Sequence, residues 1–161
     1  VDADDQACRG LRLPYLLWVL FKYLFEYDIP LTDYSLGGIL MRWEVEYTDE
    51  FGAWWGQLSE EEQVSLAATV MLLELRGPHL GFPHSSAVHG SRHAHLRELR
   101  TQHQGRPLRT LYAFDPRRHA ILLIGGDKTG HDRWYDVHVP LADRLYDDHL
   151  KQLQQEGGRD V

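Results

Sequence analysis

Between Arg42 and Tyr47 the chain alternates, with Trp43, Val45 and Tyr47 on one face and Glu44 and Glu46 on the other. A period of two in strand-forming residues predicts a β-strand. Thr48 or Asp49 then stands where a cap belongs, ahead of a short helix carrying Phe51, Trp54, Trp55 and Leu58. Ser59, followed three residues later by Glu62, predicts a capping box. In such a box the hydroxyl accepts from the Glu62 amide, and the Glu62 carboxylate accepts from the Ser59 amide. In the helix this opens, Val64, Ala67, Ala68, Met71, Leu72 and Leu75 recur at helical spacing and predict its core face. Gly77-Pro78 ends it.

Residues 77–92 then read as a loop rich in Gly, Pro, Ser and His. Three strand candidates follow, at 95–102, 107–114 and 120–125, joined by the short, turn-prone HQGR and DPRR. Links this short force antiparallel neighbours. Pro140 suits the first turn of a last helix over 141–155. The expected fold class is α+β: an N-terminal strand, a two-helix hairpin, a three-stranded antiparallel meander and a C-terminal helix. The helical pair is expected to cover one face of the sheet, leaving the opposite, concave face free to bind.

Residues 13–27, LPYLLWVLFKYLFEY, are the most hydrophobic stretch and predict an extra N-terminal helix. Lys22, Glu26 and the short length argue against a membrane span. Asp2, Asp4 and Asp5 stand where a signal peptide would be basic, so the expected compartment is the cytoplasm. Cys8 is the one cysteine of the 161 residues, which rules out an internal disulfide. A change of pattern near Met41 divides the chain into an N-terminal extension, 1–40, and a domain, 41–161. The extension is either upstream of the initiator Met41 or a helix packed on the domain or a partner.

Charge sharpens the picture. The net formal charge is −7, yet residues 92–118 hold seven Arg against Glu98 and Asp115, a net of +5. The acidic total argues against coating DNA non-specifically, while the basic stripe allows one phosphate-bearing ligand to be held at one place. Alternation puts Arg109 on one strand face with Leu111 and Ala113, and Leu108, Thr110, Tyr112 and Phe114 on the other. In the preceding strand, Glu98 and Arg100 share one face, and Arg97 and Leu99 the other. Only one of Arg97 and Arg100 can therefore reach a common site unless a bulge intervenes.

LRELR (96–100), RPLRTLYAF (106–114), AILLIGGDK (120–128) and the opening MRWEVEYTDEF (41–51), in this order, resemble the RelE/ParE toxin superfamily. The closest resemblance is to its phage-derived, HigB-type toxins, and it covers about 41–153. It implies the toxin of a type II toxin–antitoxin pair, which cuts mRNA on the ribosome and is held by a cognate antitoxin. In such chemistry the ribose 2′-OH attacks the adjacent phosphodiester, and cations stabilise the phosphorane. Carried over by position, Arg109 would hold the scissile phosphate and Arg100 the phosphate or a flanking nucleotide. Lys128 would be a second cation or proton donor. Glu98 would be a base or, on our preferred reading, an orienting partner of the arginines. Arg97, Arg106, Arg117, Arg118, Tyr112 and His131 are the expected RNA contacts.

His131, Tyr135, His138, Tyr146 and His149 are further candidate acids or base-stackers, each with an ordinary structural role as the alternative. Ten histidines raise the question of a metal, but His79, His84, His89, His93, His95 and His103, in or near one loop, lack the helix-borne H-x3-H pairing or nearby cysteines of zinc sites. No metal or other cofactor is expected, and Gly125-Gly126 lacks the spacing of a phosphate-binding loop. Two other functions share the scaffold: a gyrase inhibitor of the ParE kind, and an inactive antitoxin-binding module.

Overall fold

A computed structural model describes residues 43–157. The expected helix at 13–27, the 1–40 extension and Met41 lie outside the described residues. The elements are β1 (Val45–Tyr47), α1 (Asp49–Trp55), α2 (Glu60–Arg76), a 3-10 turn (Gly77–His79), β2 (Ser85–Ala87), β3 (Arg97–His103), β4 (Arg106–Phe114), β5 (Ala120–Asp127) and α3 (Trp134–Gly157). Among the described residues the fold is α+β, with three helices on a mixed five-stranded sheet of order β1-β5-β4-β3-β2. β1 runs parallel to β5, and the other neighbours are antiparallel.

The predicted caps form. Thr48 Oγ1 accepts from the Phe51 amide at 3.2 Å. The Ser59 hydroxyl accepts from the Glu62 amide at 3.2 Å, and the Glu62 carboxylate accepts from the Ser59 amide at 2.9 Å. The β3–β4 hairpin turns through Gln104 (φ 48°) and Gly105 (φ 79°), two successive positive φ values that match the twist of the flanking strands.

Four expectations change. The meander gains β2, a short edge strand inside the stretch read as a loop, paired with β3. α3 begins at Trp134, so Pro140 lies inside it. Proline leaves the Asp136 carbonyl without its helical donor, but both residues are exposed, where water can replace the bond. The core face of α2 is Leu66, Ala67, Thr69, Val70 and Leu73 rather than the predicted set, of which only Ala67 is buried. Residues 64–75 are apolar nearly all round, so period alone does not choose the face; docking on the sheet does.

The fourth concerns the sheet, which is covered on both faces. Phe51, Leu66, Val70 and Leu73 pack with Leu99, Tyr112 and Leu122 on one side. On the other, Val139, Ala142, Leu145 and Tyr146 of α3 pack with Leu111, Ala113, Ile121 and Leu123. The concave face expected to be open is thus occupied along most of its length. Double coverage also explains why β4 is buried at six consecutive positions, Leu108 to Ala113.

Two glycines let the faces close. A Cβ on Gly125 would lie 2.0 Å from Trp54, and one on Gly126 would lie 2.8 Å from Trp134. Neighbouring glycines on β5 therefore admit one indole from each side. At the far end, buried Asp115 accepts from His149 Nε2 (3.0 Å), Arg117 Nε (2.9 Å) and the amides of Arg117 and His119. Burial alone would raise the Asp115 carboxyl, but the bonds from His149 and Arg117 outweigh it and hold the group below its ordinary range.

A candidate phosphate site at the end of the sheet

Arg100 and Arg109 are directly opposed in the β3–β4 register. Two like charges so placed repel unless something intervenes. Glu98, two residues along β3 and 3% exposed, supplies that counter-charge. Its carboxylate accepts from Arg100 Nη1 at 2.9 Å, Ser86 Oγ at 2.8 Å and the Tyr135 hydroxyl at 2.6 Å. Arg109 Nε lies 4.0 Å away. β2 thus contributes Ser86, and the first turn of α3 contributes Tyr135.

Lys128 completes the group. Its amide donates to the Pro107 carbonyl at 3.0 Å, which fixes the chain leaving β5 against the start of β4. Its ammonium sits 3.4 Å from the Tyr135 hydroxyl and 4.5 Å from the centre of that ring. Arg100, Arg109 and Lys128, carried by β3, β4 and the end of β5, therefore converge around one carboxylate and one phenol. Arg109 is 5% exposed and spends Nη1 on the Leu108 carbonyl at 3.0 Å. Its Nε has no hydrogen-bond acceptor among the described residues. A buried donor left this way is costly, and an incoming oxyanion would satisfy it.

Burial, and then the hydrogen bond to Glu98, push the Tyr135 phenol up to about 12. The raised value means the folded state keeps this proton longer than the unfolded chain does. The stability it contributes is complete below pH 10 and is lost as pH rises from 10 towards 12. Tyr135→Phe is expected to flatten the fall in unfolding free energy across that window, measured by urea titration at several pH values. Identical slopes in the two proteins would contradict the assignment.

The remaining expected contacts do not join this group. Tyr112 is fully enclosed on the opposite face, where its hydroxyl meets Ser85 Oγ at 2.7 Å, so its ring is unavailable to a ligand. Arg97, also on that face, donates to Ser85 Oγ at 3.1 Å. Arg106 is committed to Glu62 and to Asp127, with Nη2 at 2.6 Å from the latter. Arg117 ties the β4–β5 turn to Glu46 (2.7 Å) and Asp115, and Arg118 lies over the Trp43 ring at 5.0 Å. Both arginines sit beyond the far end of β4, on the order of 25 Å from Arg106 at ~3.3 Å per residue. His131 lines a separate hollow of about 710 Å³ with Trp54, Gly126, Trp134 and His138, and none of the clustered residues lines it.

Several histidines have structural partners: His93 with Asp147 (2.8 Å), His95 with Tyr146 (3.2 Å), His103 with Ser65 (2.8 Å) and His149 with Asp115. Among the described residues, Glu44, Glu46 and His119 bring potential metal-ligand atoms within 4.8 Å of one another, and Arg117 already engages Glu46. Sequence reasoning raised Tyr135 as a candidate acid or base-stacker and missed Ser86 and Phe82. Ser86 carries no local signal, because a three-residue edge strand within a Gly/Pro/Ser loop shows no periodicity.

An antiparallel meander packed between helices, with opposed cations at one end, makes the described residues an α+β domain. Residues 53–147 match the family described as Phage derived protein Gp49-like (DUF891), and the chain belongs to that family. It is 41% identical over 108 residues to the Mycobacterium tuberculosis protein named "Putative toxin HigB2", a match covering 66% of this chain and 54% of that one. It is 42% identical over 106 residues to "Putative toxin HigB3" of the same organism, covering 65% and 90% respectively. The chain thus spans about half the length of the first relative and most of the second. No solved structure gives a significant match. Among the described residues no helix is long and apolar enough to cross a membrane.

Proposed function

We propose that this chain is the toxin of a type II toxin–antitoxin pair and acts as an endoribonuclease that cuts mRNA, with the ribosome presenting the substrate. The observation that carries the reading is the convergence of Arg100, Arg109 and Lys128, from separate strands, on Glu98 and Tyr135. Three cations against one carboxylate leave the cluster net positive, as a phosphorane requires. The names of the two mycobacterial relatives support the toxin assignment. The α+β arrangement agrees with a RelE-type scaffold.

In this mechanism the ribose 2′-hydroxyl gives its proton to solvent water as its oxygen bonds to phosphorus, and the 5′-oxygen departs and takes up a proton, leaving a 2′,3′-cyclic phosphate and a 5′-hydroxyl. Arg109 meets the equatorial phosphate oxygens with its unsatisfied Nε–H. Arg100, 30% exposed in its side chain, takes the outer oxygen or the next phosphate. Lys128 neutralises charge on the leaving 5′-oxygen, and either its ammonium or the neighbouring Tyr135 hydroxyl returns the proton. Glu98 is a positioning residue, since its carboxylate is already engaged by Ser86, Arg100 and Tyr135. Such a toxin acts in the cytoplasm and has a cognate antitoxin as its partner.

The test is controlled expression followed by mapping of mRNA 5′ ends. New ends within coding regions, appearing as growth stops, are the expected result. Arrest with intact mRNA and altered DNA supercoiling would replace this reading with gyrase inhibition. No arrest at all would leave an inactive antitoxin-binding module.

A further inference from the structure

Among the described residues only two large hydrophobic side chains are exposed, and Phe82, at 78%, is the more exposed. Its loop is held on both sides. Leu80 is buried and its amide bonds to Gly77, while Ser85 is buried and its amide bonds to Gly81 at 3.0 Å. The His84 amide also bonds to the Gly81 carbonyl at 3.1 Å, and the Arg100 amide bonds to the His84 carbonyl at 2.8 Å. The ring is thus displayed by an anchored loop.

Its cationic neighbour Arg100 is informative. The Arg100 guanidinium lies 5.4 Å from the ring centre, and Nη1 of the same guanidinium is bonded to Glu98. Arg100 is therefore gripped between the buried carboxylate and the exposed ring. Across the sheet the order runs Lys128, Arg109, Arg100, Phe82: three cations, then an aromatic face open to solvent. A row of cations ending in an open aromatic ring is the arrangement that holds single-stranded nucleic acid, because every base has a π-face and the backbone follows the charges.

Resting on the RNA reading proposed above, we infer that Phe82 is the stacking platform for a nucleobase flanking the phosphate held by Arg100. The base lies on the ring face away from the guanidinium, so Arg100 fixes both the ring and the adjoining phosphate. The site is a binding subsite of the cleavage centre, and its ligand is an unpaired base of the mRNA.

The experiment compares wild type, Phe82→Ala and Phe82→Trp at matched protein levels, by mapping and counting mRNA ends after induction. Alanine is expected to reduce cleavage about 10-fold, within the about 5- to 150-fold that loss of one base stack produces. It should also flatten base preference at one position beside the cut. Tryptophan should restore both. A side chain this exposed contributes little to the fold, so the melting temperature of Phe82→Ala should match wild type. Wild-type cleavage with Phe82→Ala equal in rate and site choice would overturn the stacking role and leave the ring to a protein contact. Failure of the wild type to cut RNA would instead remove the nuclease reading, and this inference with it.

Discussion

Arg109→Ala is expected to lower mRNA cleavage by about 10²- to 10³-fold, the effect of removing one preorganised donor from an oxyanion site. Arg109 is the buried member of the cation group, and its Nε donor finds no hydrogen-bond acceptor among the described residues. The fold tolerates that arrangement at a cost of about 1–3 kcal/mol, the usual penalty for an unsatisfied buried donor. The same orientation makes it available when negative charge develops on a phosphate. Removal should therefore damage activity far more than stability. Glu98 keeps Ser86, Arg100 and Tyr135, so the unfolding free energy should change by less than about 1 kcal/mol. Arg109→Lys retains charge but loses the planar fork and should fall between the two. Counting mRNA ends alongside urea unfolding of the same variants checks both halves. Cleavage at wild-type levels in a folded Arg109→Ala protein would eliminate this site as the centre of reaction.

Gly125→Ala is expected to destabilise the protein by about 3 kcal/mol or more, at the upper end of overpacking costs. The new methyl would fall 2.0 Å from Trp54 Cζ3 and 2.1 Å from Cε3. The indole cannot simply swing aside, since it packs edge-on against buried Phe51 with ring centres 5.7 Å apart. Either β5 or α1 must shift. Trimming the obstacle should relieve the strain, so Gly125→Ala with Trp54→Leu should lose less stability than the two single changes together. A coupling of about 1–3 kcal/mol is expected for residues in contact. Chemical denaturation of the four proteins measures it. A Gly125→Ala protein as stable as wild type would show that this approach is not rigid. Gly126 lies opposite Arg109 in register and against Trp134, so a similar change there should also disturb the candidate site.

Much of the architecture was legible because local chemistry specifies it. Thr48 and the Ser59/Glu62 box have one good use, and the two-residue turn at Gln104-Gly105 enforces an antiparallel pair. Alternation correctly separated Arg97 from Glu98 and Arg100, and put Tyr112 opposite Arg109. It did not reveal that the Tyr112 face is sealed by α2. Arg117 looked like Arg109 in the sequence, yet it staples a turn to Glu46 and Asp115. An arginine's role depends on which carboxylates stand around it, and these lie up to 71 positions away.

The chain alone therefore determined the caps of α1 and α2, the antiparallel pairing of β3, β4 and β5, and which side chains share a strand face. These follow from backbone dihedrals and from interactions within a few residues. Tertiary structure alone decided that both sheet faces are covered, that β1 joins parallel to β5, and that Ser86 and Tyr135 meet Glu98. It also chose which of the seven clustered arginines remain available to a ligand. Those outcomes depend on shape and charge brought together from distant positions, and no short-range rule encodes them.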